Sequence, residues 1–248
     1  MYSFLFKNRL VKIVFNLLFM KSIFKSVIDV VFPPVCTGCY EVLADHEYLI
    51  CSYCRFEMPK TNFLFHADNE ALHKFYGIVP IQKVASLLYF EKEGITQHIL
   101  HHLKYKSQPE LGILLANMFE DDISKSNFFD SDACLIPIPL HPKRLKERGY
   151  NQVHLFTKTL ANNHNISFDD DLLIRTVYKK TQTNKNLEQR NASFDSVFKL
   201  NKTISESQNL VLIDDVLTTG STLIQSIKTL QQLPYVNISV LTIAYAHS

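Results

Sequence analysis

Apolar positions along the chain fall into two kinds of run. Short continuous runs bounded by polar or turn residues read as buried strands: VASLLYFEKEG (84–94, strand and turn), ACLIPIPL (133–140), LVLID (210–214) and VNISVLTIAYA (236–246). Other segments carry helical spacing. ITQHILHHLKYK (95–106) places apolar residues at 95, 99, 100 and 103. ELGILLANMFEDDI (110–123), NQVHLFTKTLANNH (151–164, with Val153, Phe156 and Leu160 inward) and STLIQSIKTLQQL (221–233) read the same way. Strand, helix, strand in the last block is a βαβ unit, which implies parallel pairing. The expected class is α/β, a parallel sheet flanked by helices.

The N-terminal third is organised differently. Residues 20–32 read as a helix stopped by Pro33-Pro34. The first 32 residues are apolar and basic, but Lys7, Arg9, Lys12, Lys21 and Lys25 keep any run below the ~18 apolar residues of a spanning helix. No small-residue cleavage site follows a clean apolar core. Two readings stand: an amphipathic helix lying on a membrane, or an upstream extension over 1–19 with Met20 as the true start. KTNFLFHADNEALHK (60–74) reads as a linker region. The expected organisation is therefore an extension over 1–19, a small module over 20–66 and a large domain over 67–248. A hydrophobic share of 46% suffices for such a core. The net charge of +2 gives no global argument for nucleic acid or membrane, so local charge must carry one.

Local chemistry begins with VLIDDVLTTGST (211–222). Asp214 and Asp215 close an apolar strand, where open α/β sheets bind ligands. The turn Thr218-Thr219-Gly220-Ser221-Thr222 then opens a helix, whose first amides and dipole attract phosphate. Carboxylates repel phosphate but accept hydrogen bonds from sugar hydroxyls. A ribose 5-phosphate carrying a diphosphate, with Mg2+ on the same sugar, satisfies both features. The bland alternative is a pair of acids that merely cap the next helix.

LIPIPLHPKRLKERGYNQ (135–152) places Lys143, Arg144, Lys146 and Arg148 in a turn at the same expected sheet edge. Cations there could neutralise a diphosphate, although such runs are often plain solvated turns. RTVYKKTQTNKNLEQRNASF (175–194) is a long polar, basic loop. Its Lys179, Lys180, Lys185 and Arg190 suit either a lid over an anion or a nucleic-acid path; plain disorder is the alternative.

Four of the five cysteines form two CxxC pairs, Cys36/Cys39 and Cys51/Cys54, eleven residues apart. Two such knuckles close a four-thiolate site, pointing to structural Zn2+ in a reducing compartment. Cys134, in an apolar strand, reads as a packing residue. His98 and His102 share a helix face at i, i+4 beside His101, but no further ligand is near, so all three read as ordinary histidines.

Taken in order, the FPP helix end, the two CxxC pairs, LKYK, PIPLHPKRLKERGYNQ, the Gln182/Leu187/Arg190/Asn191 set and VLIDDVLTTGST resemble the ComF family. That family is similar to type I phosphoribosyltransferases and includes competence proteins of bacterial DNA uptake. The resemblance covers about residues 20–248. It implies a type I phosphoribosyltransferase-like domain bearing an N-terminal zinc module. Asp214 and Asp215 would hold the ribose hydroxyls, residues 218–222 the 5-phosphate, and Lys143, Arg144 and Arg148 the diphosphate of phosphoribosyl pyrophosphate. Two functions follow. One is a DNA-uptake factor that binds single-stranded DNA through the basic loops, with stacking from Tyr53, Phe56, Tyr150 or Tyr178, and passes it to recombination proteins. The other is an active phosphoribosyltransferase of nucleotide or cofactor salvage. The expected location is cytoplasmic, with contact at the inner face of the membrane through the N-terminus as an open alternative.

Overall fold

The structure, a computed structural model, describes residues 32–176, 197–204 and 208–247. The chain divides into two compact units, Met1–Phe56 and Glu57–Ser248. The expected extension, all of the 20–32 helix but its last residue, and the basic-loop residues Tyr178, Lys179, Lys180, Gln182, Lys185, Leu187, Arg190 and Asn191 lie outside the described residues.

Among the described residues of the first unit, tight turns precede a short helix, α1 (Ser52–Phe56). The unit's only buried side chains are Cys36, Thr37, Ile50, Cys51 and Cys54 among the described residues. The cysteines therefore stand where a larger module would have an apolar core.

The second unit is built on a five-stranded parallel sheet. β1 (Val84–Tyr89), β2 (Ala133–Pro137), β3 (Ser167–Phe168), β6 (Gln208–Leu217) and β7 (Val236–Tyr245) lie in the order β1-β7-β6-β2-β3. Leu212 pairs with Ile136 on one side and Val240 on the other, and Val240 pairs with Val84. Every residue of β2, and all of β1 but Tyr89, is buried. Helices cover both faces of such strands, so the sequence runs apolar rather than alternating. A separate antiparallel pair joins β4 (Leu173–Arg175) to β5 (Phe198–Leu200).

Five helices lie between β1 and β3. α3 (Ile95–Tyr105) buries Ile99, Leu100 and Leu103, as its spacing predicts. The helix expected over 110–123 is instead two, α4 (Glu110–Met118) and α5 (Glu120–Ser126). The break is Phe119, at φ −99° and ψ 4°, and the bend keeps Leu115, Phe119 and Ile123 all buried. α7 (His154–His164) packs on α4 so closely that a Cβ on Gly112 would lie 2.9 Å from the Phe156 backbone nitrogen.

Two expectations are corrected. The 60–74 segment is not a linker. It forms a 3-10 turn (Phe63–Phe65) and α2 (Glu70–His73), and it belongs to the second unit. Its polar residues are structural: Asn69 Nδ2 donates to His66 O (2.8 Å) and Val84 O (2.9 Å), while Asn69 Oδ1 accepts from Leu72 N (3.1 Å). The basic run after β2 is not a turn but a helix, α6 (Pro142–Arg148). His141 Nδ1 caps it by accepting from Lys143 N at 3.1 Å, and Pro142 fits its first position. Gly149, at φ 85°, ends it in a conformation that glycine adopts without strain.

From β2 the chain moves outward to β3, whereas from β6 it moves through α8 (Ser221–Leu230) to β7 on the opposite side. The boundary between β2 and β6 is thus a topological switch point, where α/β sheets open a crevice. No helix among the described residues is long and apolar enough to cross a membrane.

Candidate functional site

The crevice opens where β2 leaves the sheet. Pro137 is its last residue paired with β6, opposite Ile213, and the Ile138 amide still donates to Ile213 O at 2.8 Å. β6 continues alone on that side. Contrary to expectation it does not end at the acid pair but runs to Leu217, with Asp214 opposite Thr242 and Leu217 opposite Tyr245 on β7. Asp214 and Asp215 thus flank an unpaired strand edge on the β2 side.

The two acids differ in surroundings. Asp215 is buried, and its Oδ2 receives Lys104 Nζ at 3.0 Å and Gln152 Nε2 at 2.8 Å. Asp214 Oδ1 accepts from the Asp215 amide at 2.8 Å, and the side chain opens partly to the cleft. Burial, and then the adjacent Asp215 charge, push the Asp214 carboxyl up to about 7, against the pull of the Asp215 amide, Lys104 and Arg175. The proton on this acid is therefore exchangeable near neutrality.

Next along the chain, Thr218 and Thr219 are exposed and Gly220 takes φ 74°, letting the turn enter α8 without strain. Ser221 and Thr222 begin that helix, whose first amides lack partners within the helix. Thr218 and Thr222 line the cleft, with Thr219, Gly220 and Ser221 in the turn between them.

The facing wall is cationic. A cleft of about 270 Å³ is lined by Arg144 and Arg148 of α6, Arg175 at the end of β4 and Lys104 of α3, together with both aspartates. Lys143, expected here, is not among the lining residues. Arg148 is held in place: its guanidinium lies over the Tyr105 ring at 5.2 Å and donates to Gln152 Oε1. Burial, and then the neighbouring Arg144 charge, lower the pKa of Arg175. Three arginines, and Lys104 already paired with Asp215, thus share one cleft with two acids, so the balance favours a polyanion that also offers hydroxyl groups.

Lys104, Tyr105, Gln152 and Arg175 were not assigned from sequence, although LKYK and RGYNQ contain the first three. Tyr150, expected to be free for stacking, donates its hydroxyl to Leu103 O and lines an apolar pocket with Leu145 and Leu155. His102 Nδ1 lies 2.8 Å from Gln108 Oε1. Cys134 is buried in β2.

In the first unit, one sulfur from each of Cys36, Cys39, Cys51 and Cys54 lies within 4.8 Å of the others. The Cys39 and Cys51 sulfurs are 3.7 Å apart, near the ~3.8 Å edge of a tetrahedron with 2.3 Å metal–sulfur bonds. The amides of Gly38 (3.3 Å) and Cys51 (3.2 Å) point at Cys36 Sγ, and the Cys54 amide at Cys51 Sγ (3.4 Å). Burial raises the Cys36 thiol, but those amides and that of Cys39 outweigh it and hold it at about 7. Amides aimed at sulfur favour thiolate, so the four residues fit a structural metal. Glu47 braces the loop, accepting from Ala44 N (2.9 Å) and Ser52 N (2.6 Å). Tyr53 and Phe56 on α1 are 67% and 85% exposed, which leaves both rings open to a partner.

The parallel sheet, the switch-point crevice, and the acid pair followed by a small-residue turn define an α/β protein with a ligand cleft at its sheet edge. No protein-family model matches the chain. Curated relatives do, and they are named competence or DNA utilization proteins. Competence protein ComFC of Bacillus subtilis is 33% identical over 127 residues, 50% of this chain and 48% of that protein. Competence protein F of Haemophilus influenzae is 28% identical over 219 residues, 86% of this chain and 90% of its own. DNA utilization protein YhgH of Salmonella typhimurium is 26% identical over 127 residues, 50% of this chain and 56% of that protein. The chain thus spans about half the length of ComFC and of YhgH, and nearly all of Competence protein F. Among solved structures, an adenine phosphoribosyltransferase is 18% identical, with 63% of this chain and 76% of that one covered, at a TM-score of 0.37.

Proposed function

We propose that the protein acts in DNA uptake, as a ComF-type factor that combines a phosphoribosyl-pyrophosphate-type site with single-stranded DNA handling. The observation that carries the reading is the cleft in which Arg144, Arg148, Arg175 and Lys104 face Asp214 and Asp215. The names of the relatives, competence and DNA utilization proteins, support the biological role.

In this reading the ionised carboxylates of Asp214 and Asp215 accept hydrogen bonds from the ribose hydroxyls. Amides and hydroxyls of residues 218–222 hold the 5-phosphate. The arginines take the diphosphate, Arg148 being preset by Tyr105 and Gln152. Mg2+ suits the oxygen donors of the acid pair and would neutralise the diphosphate when bound. Zn2+ in the four-cysteine cluster would order the first unit, whose exposed Tyr53 and Phe56 suit base stacking. The site of action is the cytoplasm, where internalised DNA meets recombination proteins.

Calorimetric titration with Mg2+ and phosphoribosyl pyrophosphate tests the site. Binding by the wild type, lost in the Asp214→Asn/Asp215→Asn double variant, is the expected result; no binding by a folded, zinc-loaded wild type overturns the phosphosugar part. The DNA part is tested by single-strand affinity, which should fall steeply between about 50 and 200 mM salt. Affinity indifferent to salt counts against it. Diphosphate release with a base or amine acceptor would instead favour the second reading, a salvage phosphoribosyltransferase, for which the intact acid-and-cation cleft speaks.

A further inference from the structure

Among the described residues, Asp215 is the charged residue least exposed to solvent, at 7%. A buried carboxylate without a cation is strongly unfavourable. Lys104, from the last turn of α3, supplies that cation at 3.0 Å, on the same oxygen that takes the Gln152 amide. Yet the phosphosugar reading, on which the role assigned below to Lys104 rests, gives this carboxylate to ribose hydroxyls and their magnesium. Two uses compete for one group.

The rest of the cleft explains how both can be served. Arg148 is fixed by Tyr105 and Gln152. Lys104 carries a compact charge on a flexible four-carbon stem. While the cleft is empty, Arg144, Arg148 and Arg175 repel its ammonium from the far wall and Asp215 attracts it. A diphosphate on that wall reverses the field there. We propose that Lys104 is a transferable counter-ion: it neutralises Asp215 in the empty cleft and moves to the diphosphate when a magnesium–phosphosugar takes over the carboxylate. It acts as a positioning residue that keeps a buried acid ready without leaving it uncompensated.

The test titrates Mg2+ alone, and then Mg2+ with phosphoribosyl pyrophosphate, into the full-length zinc-loaded chain carrying Lys104→Met or Lys104→Arg. Lys104→Met should bind Mg2+ alone about fivefold tighter or more, because Asp215 is uncovered, and should gain more thermal stability from Mg2+ than wild type. The same variant should bind the phosphosugar about tenfold more weakly, and Lys104→Arg should recover most of that loss. A merely structural lysine would not move the two affinities in opposite directions. If Lys104→Met does not fold, Lys104→Gln, which keeps a donor without the charge, is read by the same titrations. Unchanged or weaker Mg2+ binding overturns the transfer, as does unchanged phosphosugar binding. A wild type that binds no phosphosugar overturns the phosphosugar reading itself; a wild type that binds it, beside a variant that gains nothing for Mg2+, overturns the transfer alone.

Discussion

Gln152 joins Arg148 to Asp215: its Oε1 accepts from the guanidinium, and its Nε2 donates to Asp215 Oδ2 at 2.8 Å. One amide thus orients a cation for the diphosphate wall and an acid for the sugar. Gln152→Leu should destabilise the chain by about 1–3 kcal/mol, because a buried carboxylate oxygen loses a donor. It should also weaken phosphosugar binding about tenfold by freeing Arg148. Urea unfolding and calorimetry read the two effects separately.

The Asp214 carboxyl, raised to about 7 by burial and by Asp215, makes both stability and binding depend on pH. Below the ordinary carboxylate range both folded and unfolded chains are protonated, so nothing is lost. As pH rises toward about 7 the unfolded chain ionises while the folded chain keeps its proton, so stability falls; above about 7 the loss is complete. Phosphosugar affinity should move the other way, rising from about pH 6 to about pH 8 as the acid ionises. Asp214→Asn should flatten both profiles and be more stable than wild type by about 1–2 kcal/mol at about pH 8. Thermal melts and titrations across that range check the signs.

Gly112 leaves no room for a methyl group. A Cβ would lie 2.9 Å from the Phe156 backbone nitrogen, which cannot swing away as a side chain would. Gly112→Ala gains helix propensity but should lose about 1–2 kcal/mol net, as α4 and α7 are forced apart. A fall of about 3–6 °C in Tm is the expected reading.

Removing a metal held by the four cysteines should act on the first unit, where three of the five buried side chains among the described residues are cysteines. Chelation should make residues 32–56 sensitive to protease, and Zn2+ should restore protection at one ion per chain. Cys54→Ser should lower metal affinity more than about 100-fold, measured by competition with a chelating dye.

The central strands were legible because each is buried on both faces and reads as an uninterrupted apolar run. The acid pair and its turn were legible because they follow one such run directly. α6 was not: its four cations in seven positions form no apolar stripe, and its cap is a histidine ring rather than a common capping residue. The linker reading of 60–74 failed for a related reason. Asn69 and Thr61 look like solvent-exposed polar residues, yet they are buried and bonded to the strand β1. Lys104 and Arg175 escaped notice because they reach the cleft only through tertiary structure. Nothing local shows that the end of α3 and the end of β4 meet the edge of β6.

The pairing of Arg175 with Phe198 has a bearing on how such a protein can diversify. Two three-residue strands clasp the chain on either side of residues 176–197, so that stretch begins and ends at one place on the scaffold. Arg175 belongs both to this clasp and to the cleft lining, so any change of sequence between the clasped ends starts beside the ligand site. Evolution can therefore vary what flanks the ligand from a point anchored to the scaffold.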